Sequence, residues 1–234
     1  MDNFALILIE AVSAILCFVL LRFMIKPYQA TGEGRYLGLP VGFAFLGVSY
    51  IFMGLALYYE SLIFFDDLKW FQLFTQAYAL AFLAATYYFS KKPPERTRLW
   101  WDITYAGLFF AAVISYLVVF EPPMFGLPSY KIVDEYFRLF NIVLLAYISI
   151  HTLRSHVSQP DPKTIWIPLS YLLLGFSQYS FLIWSLDSSF SAYMGAHLLR
   201  LSGLLIFLFV VYQAFHSKRG RSPKEGISDE EAST

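Results

Sequence analysis

The chain has 234 residues, of which 58% are hydrophobic, 20% aromatic and only 15% charged, and its formal net charge is zero. That balance excludes an ordinary soluble domain, and the lack of a basic field argues against a nucleic-acid partner. Cys17 is the single cysteine and lies in an apolar run, which excludes an intrachain disulfide and a cysteine-based metal site.

The apolar residues are blocked rather than alternating. They form seven runs, Asn3–Ile25, Leu37–Tyr59, Phe71–Ser90, Ile103–Phe120, Ile132–Ile150, Ile165–Leu186 and Tyr193–Phe215. Each is near the length of about 20 residues that crosses a bilayer as a helix. The expected fold class is therefore all-α, an integral membrane seven-helix bundle over residues 1–216. Residues 217–234 (SKRGRSPKEGISDEEAST) hold too little apolar surface for a core and are expected to be a disordered tail.

Basic residues alternate between the connections. Arg22, Lys26 and Arg35 flank the first, Lys91, Lys92, Arg96 and Arg98 fill the third, Arg154 and Lys163 lie in the fifth, and Lys218 and Arg219 open the tail. The second and fourth carry one lysine each, Lys69 and Lys131, among acidic residues, and the sixth has only Asp187. Positive residues favour the cytoplasmic side, so the expected arrangement is a multi-pass cell-membrane protein with its N-terminus outside and C-terminus inside. The start, MDNF, has no basic n-region and no small-residue cleavage site follows, so the first run reads as a retained span. Trp70, Tyr130, Trp184 and Tyr193 are expected at the outer interface; Tyr28, Tyr87, Tyr88, Trp100, Trp101, Trp166 and Tyr212 are expected at the inner one.

Glu10 in the first span and Arg200 in the seventh both lie about 10 Å below the outer surface at the helical rise. An intramembrane arginine needs a partner or a wet cavity, so a Glu10–Arg200 pair joining the first and last helices is expected. His197 lies one turn before Arg200. Gly38 and Gly42 in the second span and Ala77, Ala81 and Ala85 in the third have the small-residue spacing of close helix packing. The fourth connection, with Pro122, Pro123, Gly126 and Pro128, excludes a helix in its first half and reads as an outer loop or lid. Asp134 and Arg138 stand at i,i+4 in the fifth span, with Asn141 further along that face. Glu10, Arg138, His197 and Arg200 thus form a candidate outer polar layer, either ligand-binding or structural. Ser49, Asn141, Ser177 and Gln178 are candidate midplane polar groups.

Pro40-x6-Gly47-x-Ser49 in the second span matches Pro168-x6-Gly175-x-Ser177 in the sixth, and Leu46 matches Leu174. A 3+1+3 parallel repeat is expected, with the fourth span as connector, and such repeats frame sites near their interface. This layout is similar to that of microbial rhodopsins and of SWEET sugar transporters, but the residues depart from both. The seventh span has no lysine for a retinal Schiff base, and the first and fifth lack a proline–glutamine signature. The run Ala196-His197-Leu198-Leu199-Arg200-Leu201-x-Gly203 with its basic exit resembles the last helix of the membrane-integral sensor modules that precede bacterial and archaeal histidine kinases. That resemblance implies ligand or membrane sensing; with no output domain after Phe215, it implies a separate protein partner.

No catalytic group and no cofactor is expected: no HExxH or convergent nucleophile–base set appears, and His197 stands alone in the outer half. The expected partners are the lipid bilayer, a small-molecule or lipid-like ligand, and a protein in the membrane or cytoplasm. The functional expectation is a stand-alone sensor, with a small-solute transporter and a structural subunit of a membrane complex as alternatives.

Overall fold

The computed structural model describes residues 3–59, 65–90, 94–121, 128–158 and 165–217. Seven α-helices follow one another with no strand among the described residues: α1 Asn3–Thr31, α2 Gly38–Tyr58, α3 Phe65–Ser90, α4 Pro94–Phe120, α5 Tyr130–Ser158, α6 Trp166–Asp187 and α7 Phe190–Ser217. A 3-10 turn, Gly34–Tyr36, precedes α2. In hydrocarbon each backbone N–H and C=O must be paired within the protein, which makes long apolar runs helical. Several helices outrun their apolar blocks at the basic ends: α1 continues through Pro27 to Thr31, and α4 starts at Pro94, ahead of its apolar run. Gly32, at φ +68°, stops α1 by donating its N–H to the Tyr28 carbonyl. The first half of the fourth connection and the tail after Ser217, expected to be a lid and a disordered segment, lie outside the described residues.

Among the described residues, six helices are long and apolar enough to cross a membrane; α3 falls below that mark. Its sequence carries Asp66, Asp67, Lys69, Gln72, Thr75 and Gln76 in three turns. The packing explains how this is tolerated. Neighbours α2, α4 and α5 surround α3, and Gln72, Thr75 and Gln76 are all buried. A helix shielded by protein needs less apolar surface than one facing lipid.

The packing order is α1–α2–α3–α5–α6–α7, closed by contact between α7 and α1, while α4 lies outside against α3 and the 3-10 turn. The Tyr105 hydroxyl holds α4 there by donating to the Arg35 carbonyl at 3.0 Å, with Thr86 Oγ1 also at 3.0 Å. This is a ring of six helices and a connector, which distinguishes it from a ring of seven.

The register that sets Pro40 on Pro168 runs without a gap through three helices in each half. It sets Glu10 on Arg138, Ser13 on Asn141, Cys17 on Leu145 and Leu20 on Ile148, and every one of these residues is buried. In α2 and α6 it sets Phe43 on Tyr171, Ser49 on Ser177 and Tyr50 on Gln178; in α3 and α7 it sets Gln72 on Arg200, Ala79 on Phe207 and Leu83 on Val211. All of these are buried as well. The lipid-facing residues follow suit, Leu8 with Tyr136 and Ile15 with Val143. Contact of α3 with α5 is matched by contact of α7 with α1. The two halves are thus arranged about a pseudo-twofold axis through the ring.

Small residues set the closest approaches. A Cβ on Gly38 would come within 2.1 Å of Thr86 Oγ1 and 2.9 Å of the Phe82 carbonyl, and one on Gly42 within 2.7 Å of Leu83. The α2–α3 seam therefore uses Ala79, Phe82, Leu83 and Thr86 on α3, and the Ala77/Ala81/Ala85 row takes no part in these closest approaches. Ala77 and Ala81 face an apolar groove shared with α4 and α5. Of the expected interface aromatics, Trp100, Trp166 and Tyr212 are exposed, whereas Trp70, Trp101 and Tyr193 are buried between helices.

Candidate functional site

The interior of the ring holds one polar layer. Glu10 on α1, Ser49 and Tyr50 on α2, Gln72 on α3, Arg138 and Asn141 on α5, Ser177 and Gln178 on α6, and His197 and Arg200 on α7 are all buried. Each stands about two to three turns from the helix end on the face of the bundle that holds the N-terminus, which places them at one depth of roughly 10–16 Å.

Arg200 Nη2 donates to Glu10 Oε1 at 2.6 Å, which joins the first and last helices as the matching depths predicted. The guanidinium also reaches across the ring: its carbon sits 4.4 Å from the ring centre of Tyr50 and 5.9 Å from that of Phe181. His197 Nδ1 is 2.8 Å from the Tyr193 carbonyl, so it carries the proton, and Nε2 lies 3.1 Å from Glu10 Oε1. Arg138 pairs with Asp134, Nε to Oδ2 at 2.7 Å, rather than with Glu135. Its guanidinium covers Phe181 at 4.7 Å. Phe181 therefore has both guanidiniums near its ring and links the two ion pairs. Of the expected outer layer, Glu10, His197 and Arg200 are in direct contact, while Arg138 reaches them only through the Phe181 ring.

The layer is closed above and below. Toward the face that holds the N-terminus, Leu6, Phe181, Tyr193 and Ala196 form a buried apolar cluster backed by Leu57, Trp184 and Met194. On the inner side a larger cluster draws on every helix of the ring, with Cys17, Leu20, Phe43, Leu46, Leu83, Leu145, Tyr171, Leu174, Leu204 and Phe207. Aromatic groups cross the ring here: Phe43 against Phe207 at 5.6 Å, Phe207 against Tyr171 at 4.7 Å, and the hydroxyls of Tyr171 and Tyr87 at 3.1 Å.

Between these seals, hydrogen-bonding capacity is left open. Glu10 Oε2, Arg200 Nε, Asp134 Oδ1, Ser49 Oγ, Ser177 Oγ, Gln178 Oε1 and both amide atoms of Asn141 are buried with no protein partner. All four expected midplane groups are in this set. Each such atom costs about 1–3 kcal/mol relative to a satisfied one. The expected set omitted Tyr50, Gln72, Asp134 and Phe181. Gln72 was detectable from the repeat register and Asp134 from its i,i+4 spacing to Arg138, whereas Tyr50 and Phe181 act through ring faces that no spacing encodes.

The prominent surface grooves are apolar and lie elsewhere. One of about 440 Å³ runs between α2, α3 and α4, walled by Phe45, Phe52, Phe71 and Tyr116, and one of about 310 Å³ lies between α5 and α6. None of Glu10, Arg138, His197 or Arg200 lines either. No group of three or more His, Cys, Asp or Glu residues is placed to hold a metal ion among the described residues.

No family model, curated protein or solved structure matches this chain. The functional reading therefore rests on the polar layer itself.

Proposed function

We propose that this chain is a sensor or receptor-like protein of the cell membrane, with its N-terminus outside and C-terminus in the cytoplasm. A small or lipid-like ligand, or a state of the bilayer, acts on the layer of Glu10, Arg138, His197 and Arg200, and the change passes to a separate protein partner. The observation that carries this reading is the half-used ion pair between the first and last helices. A pair whose only task was to hold α1 to α7 is replaceable by apolar packing at little or no cost in stability. Here Glu10 Oε2 and Arg200 Nε stay unpartnered inside a sealed layer. Such open valence is sustained when a second state or a ligand uses it.

The test is native mass spectrometry of the protein in mild detergent, with bound species released and identified. A small molecule or lipid that leaves with the native protein and is absent from Arg200→Ala supports a ligand site in the layer. A stoichiometric protein partner with no ligand overturns that reading in favour of a structural subunit. A second reading, a small-solute transporter, is favoured by one observation: the polar positions recur in both halves about the pseudo-twofold axis. Transporters built from repeats bind at that interface.

A further inference from the structure

The repeat register does more than relate two sets of helices; it keeps one level of the ring polar in both halves. Ser13 pairs with Asn141, Ser49 with Ser177, Tyr50 with Gln178 and Gln72 with Arg200, while the levels just inside it pair apolar with apolar. Packing alone gives no reason for polarity at the same level twice. In the inner half the duplicated positions are filled by Cys17 and Leu145, Leu20 and Ile148, and Leu46 and Leu174. At these positions the seal is apolar in both copies and the layer polar in both, whereas Gln76 falls on Leu204 as a mixed pair.

We propose that this level is an occluded binding site for a small, uncharged, hydrogen-bonding solute, seated across the pseudo-twofold axis on Ser49, Asn141, Ser177 and Gln178, with Glu10 and Arg200 at its rim. The proposal rests on reading the polar layer as a ligand site and names what that site takes.

Three observations select the solute class. The carboxylates and guanidiniums of the layer balance, Glu10 and Asp134 against Arg138 and Arg200, with the His197 ring neutral. A solute with net charge would therefore enter the apolar surroundings uncompensated, which disfavours it strongly. The open valences are of mixed kind: Asn141 offers a donor and an acceptor, Gln178 Oε1 accepts, and the two serine hydroxyls do either. Their complement carries both donors and acceptors, as a small polyol or a primary amide does. Size is limited by the Leu6–Phe181–Tyr193 cluster on one side and the Phe43–Phe207–Tyr171 stack on the other.

The experiment follows thermal unfolding of the full chain in mild detergent while erythritol (a polyol) or acetamide (a primary amide) is titrated. The expected result is a saturable rise in Tm with one of the two, lost in both Asn141→Ala and Ser177→Ala. It should be retained in Ser185→Ala, whose hydroxyl bonds the nearby Leu182 carbonyl. Which probe acts separates polyol from amide. Equal responses of native protein and Asn141→Ala to both probes would be a general cosolute effect and would overturn the proposal. A second measurement needs no probe: Asn141→Leu should unfold at or above the native Tm, because it removes polar atoms that have no protein partner. A clear loss of Tm there would make the amide a structural group and would also overturn the site. If mass spectrometry releases a lipid while neither probe acts, the solute class falls and the sensor reading stands. A probe response that needs Asn141 and Ser177, with no signalling partner recovered, gives the reverse.

Discussion

Arg200 touches three other helices with one side chain: Glu10 on α1, the Tyr50 ring on α2 and the Phe181 ring on α6. Removing either member of the pair strands the other charge in a sealed interior. Glu10→Leu and Arg200→Leu should each lower stability by about 3–5 kcal/mol, whereas the double variant should lose much less than the sum. Thermal unfolding of the four proteins checks this, and strict additivity would mean that the pair does not join α1 to α7 energetically. A smaller effect belongs to the inner seal. Tyr171→Phe removes only the 3.1 Å contact to the Tyr87 hydroxyl and should cost about 1 kcal/mol, leaving the ring stack against Phe207 in place.

Helices α2 and α3 approach so closely at Gly38 that a single Cβ meets Thr86 Oγ1 and the Phe82 backbone. Gly38→Leu should therefore prevent the α2–α3 seam from forming, seen as loss of monodisperse protein in detergent size-exclusion chromatography. A Cβ added at Gly107 or Gly195 would meet nothing within 4 Å. Alanine at either should leave the elution profile unchanged and raise stability by up to about 1 kcal/mol through helix propensity. The small-residue spacing Gly38-xxx-Gly42 was readable as a packing face. Its partner face was not, because Ala77, Ala81 and Ala85 have the same spacing as a true seam and only the rotation of α3 decides which side meets α2.

Across the whole molecule, the charge of the connections predicts the orientation. In a Cys17→Ala background, a cysteine placed by Asn3→Cys should react with a membrane-impermeant maleimide on intact cells, and one placed by Thr234→Cys only after permeabilisation. The opposite pattern would invert the topology. The same scale explains α3: the bundle shelters Gln72, Thr75 and Gln76, so a helix whose own composition is marginal for lipid is held among α2, α4 and α5.

Apolar run length determined the helices, because lipid leaves the backbone no other way to satisfy its polar groups. Matching depth from the outer surface sufficed for the Glu10–Arg200 pair, because a helix converts residue count directly into distance. The Pro40 and Pro168 motifs marked the repeat. Tertiary structure alone decided that Arg138 covers Phe181, and that Trp70 and Tyr193 face neighbours instead of headgroups. These depend on how each helix is rotated about its axis and on which helices become neighbours. Those two quantities arise from the summed packing of the ring, and no local run of residues carries them.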